Sequence, residues 1–236
     1  MTRARWGALG AVLLVIIAAA ALAITDGHRS RARVTPRLAL LTSLQIVLGE
    51  DFSVTGNGSP ALAALSAQFQ VAPISTTSSK ELANVGLLLM AQPPAQAPEN
   101  LVALDNWVRA GGRLLLLADP LLEWPSKRPL GDPLRPPPMF VDTGLLAHWG
   151  LRLDAPDQRG PAARGLAGYR IVTVSPGSLH GRCAISGDRL VADCRIGKGR
   201  AIIVADADLL NAAKLGTEAK ENLPAVTREL AELANQ

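Results

Sequence analysis

Two continuous apolar runs, "NVGLLLMAQP" at 84–93 and "GRLLLLAD" at 112–119, flank one amphipathic segment, "APENLVALDNWVRAGG" at 97–112. An apolar run without alternation suits a strand covered on both faces, and such strands sit inside parallel sheets. The segment between them reads as a helix. Pro98 stands near its start, Leu101, Leu104, Trp107 and Val108 form one stripe, and Gly111-Gly112 end it. Strand, helix and strand joined by short loops make a parallel pair with a crossover, so the chain is an α/β protein. Aromatic residues make up only 3% of the chain against 48% apolar. The core is therefore built from Leu, Ile, Val and Ala.

The same reading extends to both sides. "RLALLTSL" (37–44) is a first strand, and "GEDFSVTGNGSP" (49–60) is a loop. "PALAALSAQFQ" (60–70) is a short helix capped by Ser59 with Pro60 at its first position, and "VAPIS" (71–75) is a short strand. Beyond Asp119 the pattern breaks. "PLLEWPSKRPLGDPLRPPP" (120–138) holds seven of the 17 prolines and is expected as a long irregular connection. "VDTGLLAHWGLRL" (141–153) reads as a helix passing into a strand, and "YRIVTVSPGSL" (169–179) as another strand. Residues 182–206 read as a hairpin turning at Gly187-Asp188 and then a buried strand; residues 217–236 read as mostly helical, with Pro224 interrupting or restarting the helix.

The N-terminus is different in kind. "WGALGAVLLVIIAAAALAI" (6–24) is 19 residues without a charge, preceded by Arg3 and Arg5. That length is enough to span a bilayer as a helix. "ALA" at 21–23 also fits a small-residue cleavage site, so anchor and cleaved signal both stand. The run exceeds the usual apolar region of a signal, about 7–15 residues, which favours the anchor. Arg29, Arg31, Arg33 and Arg37 follow the span. Counting them keeps the domain inside the cell. The signal-like layout argues for export, and that is the expectation adopted: a single-pass protein of a bacterial inner membrane with a periplasmic domain. The resulting organisation is a tail (1–5), an anchor or signal (6–24), a linker (25–36), an α/β domain (37–211) and a C-terminal helix (212–236). Apart from those six arginines the chain is close to neutral, although its net charge is +4. No basic face with interleaved aromatics appears, and nucleic acid is not an expected partner.

"GRLLLLADPLL" (112–122) is echoed by "GRAIIVADADLL" (199–210), so Asp119 and Asp206 hold the same place in two similar strands. Both are expected at the carboxyl ends of parallel strands, the edge where ligands bind in open α/β sheets. Asp119, Pro120, Asp206 and Asp208 are thus expected to face a ligand or partner. Clustered acids can bind a divalent cation or act as acid and base, and they can equally cap the turns that follow them. No histidine lies close in sequence to complete a transition-metal site, and no glycine-rich stretch has phosphate-loop spacing. No metal, cofactor or catalytic residue is assigned. His148 beside Trp149 reads as a packing or capping residue, and His180 as a loop residue without a visible partner. Cys183 and Cys194 lie on the two arms of the hairpin and are expected to form a disulfide. Pairing around Gly187-Asp188 sets Cys183 opposite Ala192, so a bulge or wider loop is needed.

Several of these stretches together, "LLLMAQP", "LVALDNWVRAGGRLLLLADP", "PLGDPLRPPP", "LLAHWGLRLD" and "ADCRIGKGRAIIVADADLL", resemble the auxiliary subunits of gliding-motility-type ABC transporters. The resemblance covers residues 37–211. It implies a class I glutamine amidotransferase-like domain of flavodoxin-like fold, with a mostly parallel sheet flanked by helices, one N-terminal transmembrane helix and a small β-hairpin. A working amidotransferase carries a cysteine on an elbow after a strand, where this chain has Asp119-Pro120, so no catalytic residue carries over. The resemblance implies a non-enzymatic accessory component whose partners are a permease and an ATPase, with the lipid bilayer as a third contact.

Three functions compete at this point. The first is that accessory component, its α/β domain binding a partner or a ligand. The second is an exported metal-dependent hydrolase using Asp119, Asp206 and Asp208. The third is a module recognising a sugar or peptide at the strand ends.

Overall fold

Strands with no polar face need cover on both sides, and the structure places them at the centre of one large sheet with helices packed on it. The computed structural model describes residues 35–47 and 59–236. In chain order the elements are β1 (Arg37–Thr42), α1 (Pro60–Ser66), β2 (Gln70–Pro73), α2 (Ser79–Leu82), β3 (Leu87–Ala91), α3 (Pro98–Arg109), β4 (Arg113–Leu117), α4 (Leu145–His148), β5 (Leu151–Asp154), β6 (Pro161–Leu166), β7 (Tyr169–Val174), β8 (Ser178–Gly181), β9 (Ala184–Ile185), β10 (Val191–Ile196), β11 (Gly199–Val204), α5 (Ala212–Leu215) and α6 (Asn222–Ala234). Short 3-10 turns stand at Asp208–Leu210 and Gly216–Ala219.

The main sheet has seven strands in the order β2-β1-β3-β4-β11-β10-β9. The first five in that order are mutually parallel. Leu115 lies between Leu89 and Ile202, and none of the three is more than 2% exposed. The order of the strands changes direction between β1 and β3, which makes a switch point at their carboxyl ends. α1 begins as its residues demand: the Ser59 hydroxyl accepts the Leu62 N–H at 3.1 Å, and Pro60 occupies the first position. α6 contacts β3, β4 and β7 and buries Ala225, Val226, Leu230 and Leu233. Pro224 falls in its first turn, where a missing N–H costs nothing, so it does not interrupt the helix. Residues Pro36–Gln236 form one compact unit that includes α6.

Three expectations are corrected. The sheet is mixed, five strands parallel and the last two pairings antiparallel, where a flavodoxin-like, amidotransferase-like sheet was expected. The tight turn between β10 and β11 forces them antiparallel, and β9 pairs with β10, so both arms of the expected hairpin belong to the main sheet. Strand β6 carries no readable signal: "PAARGL" is a strand because β7 pairs with it in a separate two-stranded sheet, as β8 pairs with β5 in another. Finally, no helix among the described residues is long and apolar enough to cross a membrane. A span needs about 20 apolar residues, and α6 has 13. The described residues therefore supply no span for the expected membrane-anchored, single-pass placement; the segment expected to provide it, 6–24, lies outside them.

Cys183 and Cys194 are bonded, with Cα atoms 4.8 Å apart. The register explains why. Ile185 pairs with Ala192 and Ala184 with Asp193, two positions wider than a turn centred on Gly187-Asp188 allows. The extra length is ordered by Asp188, whose Oδ1 accepts from the Ser186 hydroxyl and from the Leu190 N–H. A cross-link over 11 positions of sequence contributes about 3 kcal/mol in the chain-entropy account.

Candidate functional site at the strand ends

β4 and β11 run side by side with Leu117 opposite Val204, so their echoed sequences bring Asp119 and Asp206 to neighbouring strand ends. Both are fully buried, and Asp208 is 3% exposed. Every one of these carboxylates accepts backbone N–H groups. Asp119 Oδ1 takes Leu121 N–H at 2.8 Å, and its Oδ2 takes Ala207 N–H at 2.9 Å and Asp208 N–H at 3.4 Å. Asp206 Oδ2 takes Val174 N–H at 2.8 Å, and its Oδ1 takes Leu209 N–H at 2.7 Å. Asp208 Oδ2 takes Glu123 N–H at 2.7 Å. The acids therefore tie the loops after β4, β7 and β11 to one another.

Residues that carried no signal in the sequence complete the arrangement. Gln92, just past β3, accepts from Asp119 N–H at 3.0 Å and donates to Asp119 O at 3.2 Å and to Pro137 O at 3.1 Å. Ser175 donates to Glu123 Oε1 and accepts Gly160 N–H at 2.9 Å. Gln92 and Ser175 are both fully buried with positive φ, 42° and 48°, a conformation held only where surrounding bonds over-determine it. Asn222 binds Val172 N–H at 2.9 Å, Val172 O at 2.7 Å and Leu209 O at 3.0 Å.

The Pro-rich segment lies across these strand ends. Phe140 N–H donates to Asp119 O at 2.6 Å and Leu122 N–H to Pro138 O at 2.9 Å. Pro120 is not presented outward. It packs on Gly177, where a Cβ would stand 2.6 Å from the proline ring. Leu122 and Trp124 pack against the core, whereas Leu130 and Leu134 of the segment and Met139 and Val141 just after it face outward, 80%, 54%, 57% and 41% exposed.

Burial sets the electrostatics. It raises Asp119 to about 6, although three backbone N–H bonds pull the other way and the Glu123 charge adds to the rise. Burial raises Asp208 to about 7, helped by the charges of Asp119 and Glu123. Asp206 is pushed well above the usual carboxylate range by burial and then by Asp119. Each titrates higher in the folded than in the unfolded chain. Between the two values the folded state holds the extra protons, so its stability falls as pH rises. Asp154 moves oppositely, held low first by the Arg152 hydrogen bond, and acts only in acid below this window. Calorimetry is expected to show the melting temperature falling by roughly 5 °C or more from pH 5 to pH 8. Asp208→Asn keeps an acceptor for Glu123 N–H and removes a titrating group, so it flattens the upper part of that slope.

No group of three or more ligating side chains among the described residues could hold a metal ion. The two histidines among the described residues stand elsewhere: His148 Nε2 is 3.4 Å from Asp105, and His180 Nε2 is 3.2 Å from Asp154. The arrangement brings Asp119, Asp206 and Asp208 together as acceptors for backbone N–H groups, the capping alternative of the two the sequence left open.

No family model matches the chain. No curated protein matches it either. Solved structures do superimpose. An exo-β-1,4-mannosidase from Opitutaceae bacterium strain TAV5 matches with TM-score 0.50 and 16% identity over 90% of this chain. This chain spans only 38% of that enzyme's length. The N-terminal domain of mmIFT52 matches with TM-score 0.52 and 13% identity, covering 80% of this chain and 94% of that one. A cytoplasmic protein from Salmonella typhimurium matches with TM-score 0.50 and 10% identity, covering 84% and 98%. At such identities the likeness is one of fold. As folds, these likenesses are to part of a glycosidase and to a cytoplasmic protein rather than to a glutamine amidotransferase, which corrects the expected class, and they lend the expected inner-membrane, periplasmic placement no support.

Proposed function

We propose that this chain is a non-enzymatic binding component, an accessory subunit of an ABC transport system whose α/β domain engages its partners through the Pro-rich segment. One observation carries the reading: the carboxylates at the ligand edge of the sheet are buried and occupied by backbone N–H groups. A general acid or a metal ligand needs an oxygen free to reach the substrate or ion. Asp119 and Asp206 are shut off from solvent with each oxygen already accepting a backbone N–H, which weighs against the hydrolase. The outward-facing Leu130, Leu134, Met139 and Val141 supply the contact surface. The permease and ATPase partners come from the sequence resemblance.

The test is co-purification of the chain from its host, with partner subunits identified by mass spectrometry. An ABC permease and ATPase are expected with the wild type and are lost from the triple variant Leu130→Ser, Leu134→Ser, Met139→Ser. Recovery of the wild type without them, or a metal-dependent hydrolysis of esters or glycosides abolished by Asp119→Asn, overturns the proposal.

A further inference from the structure

The opposite edge of the sheet carries the opposite charge. Arg113 opens β4, and in register it lies beside Arg200 of β11, which lies beside Arg195 of β10. Residues paired across neighbouring strands project from the same face, and like charges so placed repel. Lys198, in the turn between β10 and β11, adds a fourth cation. Arg200 has a carboxylate partner: its Nε and Nη2 donate to Asp193 at 2.7 and 2.6 Å. Glu229 and Glu232 of α6 also act on Arg200, and Glu232 is itself paired with Arg228. The side chains of Arg113, Arg195 and Lys198 have no hydrogen bond or ion pair among the described residues.

With Gly199 and Gln236, the four cations line a cleft of about 180 Å³. Its floor is fixed by backbone. Lys198 N–H donates to Arg109 O at 2.9 Å, and Arg200 N–H donates to Gly112 O at 3.2 Å. Gly199 approaches α3 so closely that a Cβ would stand 2.0 Å from Val108 O. The cations are therefore held together by the fold and do not disperse by moving the turn. Guanidinium forks match the paired oxygens of phosphate, and Lys adds a point charge. We propose that this cleft binds a phosphate-bearing small molecule of diphosphate size, with Arg113, Arg195 and Lys198 as direct ligands. Arg200, oriented by Asp193, is the fourth positive group around it. The volume suits a small anion, and the site is independent of the strand-end surface assigned to partners.

Inorganic pyrophosphate is the probe, titrated into the full chain by calorimetry and by thermal shift at low salt. Saturable binding is expected, with the melting temperature rising as pyrophosphate is added. Arg113→Gln, Arg195→Gln and Lys198→Gln each weaken binding about tenfold, the loss of one charge-assisted contact. Arg170→Gln, at an exposed arginine on β7, leaves it unchanged. Melting of the free variants does not fall, because each substitution relieves repulsion. Absence of saturable pyrophosphate binding overturns the proposal. So does equal weakening by Arg170→Gln, or adsorption to phosphatidylglycerol vesicles without pyrophosphate binding.

Discussion

Asp206→Ala is expected to lower the stability of the domain by about 3–5 kcal/mol, read as a shift in the urea midpoint at unchanged slope. The side chain is fully buried, and its two oxygens accept Val174 N–H and Leu209 N–H at 2.8 and 2.7 Å. Truncation leaves both donors in a space that excludes water, and each costs about 1–3 kcal/mol unpaired. Asn is not a benign replacement. Both oxygens are acceptors, so the amide NH2 must face one of the two N–H groups. The pH dependence separates this role from a catalytic one. The loss is larger at pH 5 than at pH 8, because at higher pH the wild type carries the cost of crowding Asp206 against Asp119, which the variant sheds. A loss of less than 1 kcal/mol would show that the strand-end acids do not hold these loops.

Asn222→Ala is the second large effect, again about 3–5 kcal/mol. Asn222 is fully buried at the start of α6 and bridges Val172 N–H, Val172 O and Leu209 O. It thereby joins β7, which lies outside the main sheet, to the turn that follows β11. Without the amide, one donor and two acceptors lose a partner at once. Asp is expected to restore only the bond from Val172 N–H, since a carboxylate cannot donate to the two carbonyls. Hydrogen exchange gives the local readout: β6 and β7 lose protection in Asn222→Ala before β3 and β4 do. Simultaneous loss across all four strands would contradict a bridging role.

Both predictions concern side chains whose weight was unequally visible in the sequence. Asp206 stood out because its stretch repeats that of Asp119, and the parallel register of β4 and β11 makes the two acids neighbours. Asn222 lay in a stretch readable only as helix-forming. Its partners are 50 and 13 positions away, and no local pattern marks such bonds. Gln92 and Ser175 escaped for the same reason: each is a single polar residue after a strand, and its role depends on loops that arrive from elsewhere. The width of the hairpin carrying Cys183 and Cys194 followed from the Asp188 turn rather than from the Gly187-Asp188 pair alone.

By itself the sequence determined the central parallel strands, helix α3 between two of them, the cap of α1, and the placement of Asp119 and Asp206 at strand ends. These are consequences of local periodicity and of covalent neighbours, which act whatever the rest of the chain does. Tertiary structure alone decided that the hairpin joins the main sheet, that "PAARGL" is a strand, and that the acids face backbone N–H groups instead of a substrate. Sheet edges and buried hydrogen bonds are satisfied by whichever segment packs there, and residues far apart in the chain meet only once the core has formed.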